Sequence, residues 1–448
     1  MTYSKKWIPY ALLSLLLHAL VLIITRGFWV ELDSPAFVEL AQTQSLSFCK
    51  PIGYPAFLFV FGIGAKYLWV PIFVQIISRS TIIGLIICFL QKEYQLNLKK
   101  TLLIWAILHI EPQQIYYNIC LMVESLLLTF FFAQWYVWQL YLKYKQKKFF
   151  YLLLILIGIG LYFKPVALIS VILLFGYGLY TARYQYILGS IAVYGIFYIS
   201  TGSLYYWRYG TFETDIFKGI LLWNNASVVT PVLKKDKFIT QDEAVNAVLI
   251  KMYGRNMNEF SFEQNDNRIF EDSSFVQVYL QSVMSQGKDY RLAIVEVNRV
   301  LGRVGWQIVI HYPATFVKGY IIPNLKEWFL ALFTPNDITY LVPSQIASLH
   351  PSAKTYKLNS FLYVWHSVVK IGLLSLFLIA IIKKLVFVRS IQPIFHFVWV
   401  YLVINVVLHP LEYRYIQPIL GSLLLLISVL ICVWISKNTD SILNRSYL

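Results

Sequence analysis

Charge is what this sequence has least of. Only 13% of its 448 residues are Asp, Glu, Lys or Arg, against 58% hydrophobic residues. That balance excludes an ordinary soluble domain and points to a chain that crosses a membrane several times. Cysteine is scarce as well. Of the four, Cys88, Cys120 and Cys432 lie inside apolar runs, and Cys49 stands in a polar stretch with no obvious partner. No disulfide framework or cysteine metal spacing is present. The histidines, among them His18, His109, His311, His366, His396 and His409, show no metal-ligand spacing either. Internal repeats and low-complexity linkers are lacking, which argues against the duplicated architecture common in transporters. The net charge of +16 comes without a nucleic-acid motif.

Aromatic residues, by contrast, are plentiful at 17%, as interfacial belts require. About 20 apolar residues are needed to cross a bilayer core of roughly 30 Å. Ten segments qualify or come close: Trp7–Thr25, Val70–Leu90, Thr101–Ile110, Asn118–Leu142, Phe149–Phe163, Val166–Tyr180, Tyr184–Leu204, Phe361–Ile382, Pro393–Leu408 and Ile416–Ile435. The expected fold is therefore an all-α membrane protein. Residues 1–207 form an N-terminal transmembrane module with a first outer loop at 26–69, residues 208–360 an outer-face insert, and residues 361–448 the C-terminal transmembrane helices. The run after Lys5-Lys6 has no clear cleavage site and reads as an uncleaved first helix.

Loop charges set the orientation. One set of loops carries Lys5, Lys6, Lys92, Lys99, Lys100, Lys143, Lys145, Lys147, Lys148, Arg183, Lys383, Lys384, Arg389, Lys437 and Arg445. The opposite short loops carry only Arg26, Lys50, Lys66, Lys164 and Arg414. The first set is cytoplasmic by the positive-inside rule, with both termini inside. Arg79 and Lys370 fall within spans and take no part in that count. Of the acids outside Arg208–Arg303, only Glu93 and Asp440 fall on the cytoplasmic side, and the rest gather on the other face: Glu31, Asp33, Glu39, Glu111, Glu124, Glu327, Asp337 and Glu412. A carboxylate at a helix centre costs about 2.5–3.5 kcal/mol on insertion scales, so this gathering marks a functional face.

Within the insert, Thr240-Gln-Asp-Glu243 is a capping box, followed by apolar residues at helical spacing. Tyr290, Ile294, Val297, Leu301, Val304 and Ile308 predict a second helix, closed by His311-Tyr-Pro313. Ile321–Phe333 is apolar but too short to span and reads as an interfacial helix. Asn225-Ala-Ser227 matches a glycosylation sequon.

The first outer loop is the most informative stretch. Ser34 is a good N-cap and Pro35 a good first helical residue. They predict a short surface helix with Asp33 just before it. Asp33-x-x-x-Phe37-Val-Glu39-Leu-Ala41, followed by Lys50-Pro-Ile-Gly-Tyr54-Pro55, resembles the first outer loop of GT-C glycosyltransferases of the protein-mannosyltransferase and aminoarabinose-transferase type. Here Phe37 stands for the usual Tyr, Ser34 for a second acid, and Lys50-Pro-Ile-Gly for an Arg-Pro-Pro run. Three other places are similar to the same family: Glu111-Pro112 with Glu124, Phe163-Lys164-Pro165, and Pro410-Leu-Glu412-Tyr-Arg414-Tyr415-Ile-Gln-Pro418.

The resemblance implies transfer of a sugar from a polyprenyl-phosphate donor to a lipid, glycan or protein acceptor at the outer face. It makes Asp33 the general base. Lys164 and Arg414 are expected on the donor phosphate, and Glu412, Tyr415, Glu124, Glu111, Tyr54 and Lys50 around the substrates. No metal site is assigned, but Asp33 and Glu111 have the chemistry to hold a divalent ion. The bacterial inner membrane is the expected location. An O-antigen-type polymerase or ligase with a diphosphate-linked donor is an alternative reading, and a transporter or flippase another.

Overall fold

The computed structural model describes residues 5–24, 33–47, 50–62, 66–214, 218–227, 275–326, 360–382, 391–408 and 417–435. It is all-helical, with no strand among the described residues. Among the described residues, four helices are long and apolar enough to cross a membrane: Lys5–Ile24, Trp69–Glu93, Tyr184–Tyr209 and Pro418–Ile435. Pro165–Tyr180, Ser367–Ile379 and Gln392–Asn405 are shorter apolar helices.

The chain divides into two compact units, one built on residues 1–197 with the C-terminal helices, the other on 198–330. In the first unit, a 3₁₀ turn leads into α1 (Ile8–Ile24), followed by two short helices, α2 (Ser34–Thr43) and α3 (Gly53–Phe61). Then come α4 (Trp69–Glu93), α5 (Leu98–His109), α6 (Pro112–Asn118), α7 (Val123–Tyr144), α8 (Lys147–Phe163), α9 (Leu168–Tyr180) and α10 (Tyr184–Tyr209), whose residues from Tyr198 on belong to the second unit. The last carries exposed tyrosines toward its start and exposed Tyr206 and Trp207 toward its end, as a lipid-facing helix with interfacial anchors should. Helices Ser360–Ile382, Gln392–Leu408 and Gln417–Ile435 complete the series.

Most helix ends lie within a few residues of the expected spans, because Pro, Asn and basic residues punctuate the apolar runs. Asn97 caps α5 by accepting from the Lys100 amide at 3.0 Å. The span expected over Asn118–Leu142 is the exception. Helix α6 stops at Asn118, Met122 is extended, and α7 starts only at Val123. The cause is tertiary. The Cys120 carbonyl accepts from Gln75 Nε2 at 3.0 Å, and the Leu121 carbonyl accepts from Ser34 Oγ at 2.8 Å. Both acceptors are thereby drawn away from helical partners.

Around that break sits a buried cluster drawn from four segments: Phe37, Val38 and Ala41 of α2, Tyr54, Phe57 and Leu58 of α3, Ile72 and Ile76 of α4, and Ile119–Val123. Each such side chain contributes on the order of 1.5–3 kcal/mol when buried.

The second unit is organised by the Tyr290–His311 helix. Asp289 caps it, accepting from the Leu292 amide at 2.8 Å, and its apolar stripe from Ile294 to Ile308 is buried as the sequence predicts. It packs on α11 (Lys218–Ser227) at very short range. A Cβ on Gly219 would fall 2.1 Å from the Asn298 carbonyl oxygen, so only glycine fits there. Asn298 Oδ1 accepts from the Gly219 and Ile220 amides, at 2.7 and 3.1 Å, closing the start of α11. Asn225 of the sequon is buried within α11, out of reach of a glycosylating enzyme. Residues 322–326 are helical, in line with the start of the expected interfacial helix. The capping box at Thr240–Glu243 and residues 327–333 lie outside the described residues.

Candidate active site

Asp33 occupies the N-cap position of α2, but its side chain makes no capping bond. That corrects the expected placing of Ser34 as the cap. Ser34 is the first residue of the helix, and its hydroxyl reaches across to Leu121. The Asp33 carboxylate instead pairs with Lys50, Oδ1 to Nζ 2.7 Å, with each side chain about a fifth exposed (23% and 20%). Phe37, four residues on and one helical turn away, is buried and packs edge-on against Tyr54 with centroids 5.0 Å apart. The Lys50 ammonium lies 5.5 Å from the Phe37 ring centroid. The aromatic at this spacing thus forms a wall beside the ion pair.

A second pair stands on α7 and at the end of α8. Glu124, in the first turn of α7, receives the Lys164 ammonium on Oε1 at 2.7 Å. Glu124 is 1% exposed at its side chain and Lys164 16%. The other oxygen, Oε2, is buried without a hydrogen-bond partner. Lys164 is held extended between the end of α8 and the 3₁₀ turn Pro165–Ala167, the basic-proline break the sequence announces. The first turn of α7 also favours a carboxylate through its unpaired amides and helix dipole.

Three contacts fasten the loop bearing the first pair to the segments bearing the second. Ser34, next to Asp33, bonds Leu121, three residues before Glu124. Tyr54 Oη donates to Gln75 Oε1 at 2.8 Å, and Gln75 Nε2 donates to the Cys120 carbonyl. Gly53 backs onto α8 so closely that a Cβ would lie 2.5 Å from the Tyr162 carbonyl oxygen, two residues before Lys164. Burial above all, then Cys120 and Glu124 nearby, holds the Tyr54 hydroxyl well above its usual pKa, so it remains a donor. Tyr54 itself is fully buried, so its hydroxyl acts through Gln75, not on a ligand.

Glu111 is also fully buried. Its Oε2 accepts from the Gln114 amide at 2.9 Å, which makes it the cap of α6. Its charge acts on buried Lys370, and Trp365 of the same helix as Lys370 donates to the Ile110 carbonyl at 2.9 Å. Glu39 is exposed on α2. Among the described residues, no group of three or more His, Cys, Asp or Glu is placed to hold a metal ion. Glu412, Arg414 and Tyr415 lie outside the described residues.

Sequence reasoning named both acids and both lysines but missed the residues that align them. Gln75 is hidden in an apolar run, Ser34 carried a different role, and Lys370 was set aside as a charge within a span. A polar residue on the buried face of a spanning helix is the signal that would have found Gln75. No protein-family model, curated protein or solved structure matches this chain.

Proposed function

We propose that this protein is an integral-membrane glycosyltransferase of the GT-C kind. In this reading it has about ten membrane spans, both termini in the cytoplasm of a bacterial cell and the site at the outer face of the inner membrane. It moves a sugar from a polyprenyl-phosphate donor to a lipid, glycan or protein acceptor. The observation that carries the reading is the pairing Asp33–Lys50 beside Glu124–Lys164, on segments fastened to one another. Two carboxylates and two ammonium groups are what a displacement at an anomeric carbon with a phosphate leaving group requires.

The acceptor hydroxyl forms the new bond to the anomeric carbon as the bond from that carbon to the phosphate oxygen breaks, with inversion. The hydroxyl proton passes to Asp33, and the charge on the departing lipid phosphate is held by Lys50, Lys164 and Arg414. In the resting protein the Asp33 carboxylate is engaged by Lys50. A donor phosphate competes for the Lys50 ammonium and so frees the carboxylate as the donor seats. Glu124, itself buried, acts through Lys164, which it holds in its extended position.

The test is turnover by the purified protein in lipid with a panel of polyprenyl-phosphate hexoses and pentoses, followed as release of polyprenyl phosphate. The wild type is expected to turn over at least one donor. Asp33→Asn is expected to insert and fold yet lose transfer by several orders of magnitude. Near-normal turnover by Asp33→Asn sinks the base assignment, and absence of any turnover across the panel sinks the donor class.

A further inference from the structure

A second polar centre lies in the first unit, apart from the two ion pairs. Arg79 is the eleventh residue of α4, roughly 15 Å along that helix from its start. It is 1% exposed. Its guanidinium carbon lies 3.9 Å from the ring centroid of Phe132 on α7. Nε and Nη1 are buried without hydrogen-bond partners, and no carboxylate pairs with Arg79 among the described residues.

The neighbours are polar but not acidic. His18 and His109 sit edge to face with centroids 6.1 Å apart, both within electrostatic reach of Arg79. His18 is satisfied on both nitrogens: Nδ1 donates to the Ser14 carbonyl at 2.7 Å, and Nε2 accepts from Asn118 Nδ2 at 3.0 Å. Asn118 Oδ1 in turn accepts from Ser125 Oγ at 2.9 Å. His109 Nδ1 donates to the Trp105 carbonyl at 2.9 Å, but its Nε2 is buried and unpaired. The centre thus holds an uncompensated positive charge with unused donors on the guanidinium, while His109 Nε2, its Nδ1 being the donor, offers only a lone pair.

Burying a lone ion costs several kcal/mol even after relaxation, and one aromatic face returns only about 2 kcal/mol. Water would satisfy the N–H groups but leave the charge. An anion does both. Arg79 is 1% exposed and lies near the middle of α4, which favours a small ion over a bulky headgroup as the occupant.

We propose that Arg79 is the floor of an anion seat inside the helical bundle, its guanidinium covered on one face by Phe132, and that it takes a small inorganic anion of the chloride type. An N–H group at the edge of the guanidinium donates to the anion, and the Phe132 ring covers the guanidinium face. The seat ties α4 to α7 one helical turn beyond Gln75, which bonds Tyr54 and Cys120 on the same helix.

The experiment uses the full chain, purified in chloride-free gluconate and titrated with sodium chloride at constant ionic strength, with the thermal midpoint as readout. The wild-type midpoint is expected to rise by several degrees and to saturate as a single site. Arg79→Met, which keeps the apolar stem and removes the charge, is expected not to respond. A wild-type midpoint that is the same in gluconate and chloride means hydration only and overturns the proposal, as does an Arg79→Met protein that responds like the wild type. Should Arg79→Met fail to fold, bromide replaces chloride in crystals of the wild type: an anomalous peak beside the guanidinium supports the seat, and its absence overturns it.

Discussion

The Ser34 hydroxyl donates to the Leu121 carbonyl at 2.8 Å, joining positions 87 residues apart. Both residues are buried. Because Ser34 adjoins Asp33 and Leu121 stands three residues before Glu124, this one bond fixes the spacing between the two carboxylate-bearing segments. Ser34→Ala leaves a buried carbonyl without its donor, which costs about 1–3 kcal/mol. The thermal midpoint in detergent is expected to fall accordingly, and sugar transfer to fall with it as Asp33 loses its anchor. An unchanged midpoint would show that Leu121 finds another donor and that the bond aligns nothing.

The pair Glu124–Lys164 is the more deeply buried of the two. Removing one member of a buried pair leaves an uncompensated charge and costs about 3–5 kcal/mol, whereas removing both costs much less. Glu124→Gln and Lys164→Met are each expected to be strongly destabilised, and the double variant to recover most of the loss. Thermal or denaturant unfolding of all four proteins closes the cycle. Additive losses would mean that the two groups do not act as a pair.

How much of this was legible in the sequence follows from where each determinant lies. The α8–α9 break is written locally, in Lys164-Pro165, and the Tyr290–His311 helix in its apolar spacing and in Asp289 just before it. The acids and lysines of the site stand out because charge is rare in the spans. The interruption between Asn118 and Val123 was legible only through the resemblance, in which Glu124 opens the next helix, and not from the apolar pattern, which runs on from Asn118 to Leu142. Cys120, Leu121 and Met122 are as apolar as any helix interior, and what pulls them out of a helix is Gln75 and Ser34, distant in sequence. Ser34-Pro35 reads as a helix cap because local rules favour it. The hydroxyl went instead to a buried carbonyl, where a bond is worth more than at an exposed helix end. Nor could Asp33 and Lys50 be joined from sequence, since sixteen residues, helix α2 among them, lie between the two.

Lys50 separates the resting from the reactive state of Asp33 in the proposed mechanism. A charge-assisted hydrogen bond to phosphate is worth about 1.5–3 kcal/mol, so Lys50→Met is expected to weaken donor affinity roughly 10- to 100-fold. Equilibrium binding of a polyprenyl-phosphate sugar measures this directly. Unchanged affinity would confine Lys50 to its salt bridge with Asp33.

Two glycines give predictions of opposite sign from the same chemical change. A Cβ added at Gly53 would meet the Tyr162 carbonyl oxygen at 2.5 Å and the Phe163 nitrogen at 2.7 Å, both backbone atoms that cannot rotate away. Helix α3 or the end of α8 must therefore move. Overpacking of this kind costs about 1–3 kcal/mol. The movement separates the loop holding Asp33 and Lys50 from the segment holding Lys164, so Gly53→Ala is expected to lose transfer more than stability. Gly195, within α10, has nothing within 4 Å of its added Cβ. There Ala removes the cost of glycine in a helix interior, and Gly195→Ala is expected to be as stable as the wild type or more so, by up to about 1 kcal/mol, with transfer intact. Thermal midpoints and turnover of the two variants, measured side by side, test whether Gly53 is there for close approach. A Gly53→Ala protein indistinguishable from Gly195→Ala in both readouts would mean that the α3–α8 contact does not set the geometry of the site.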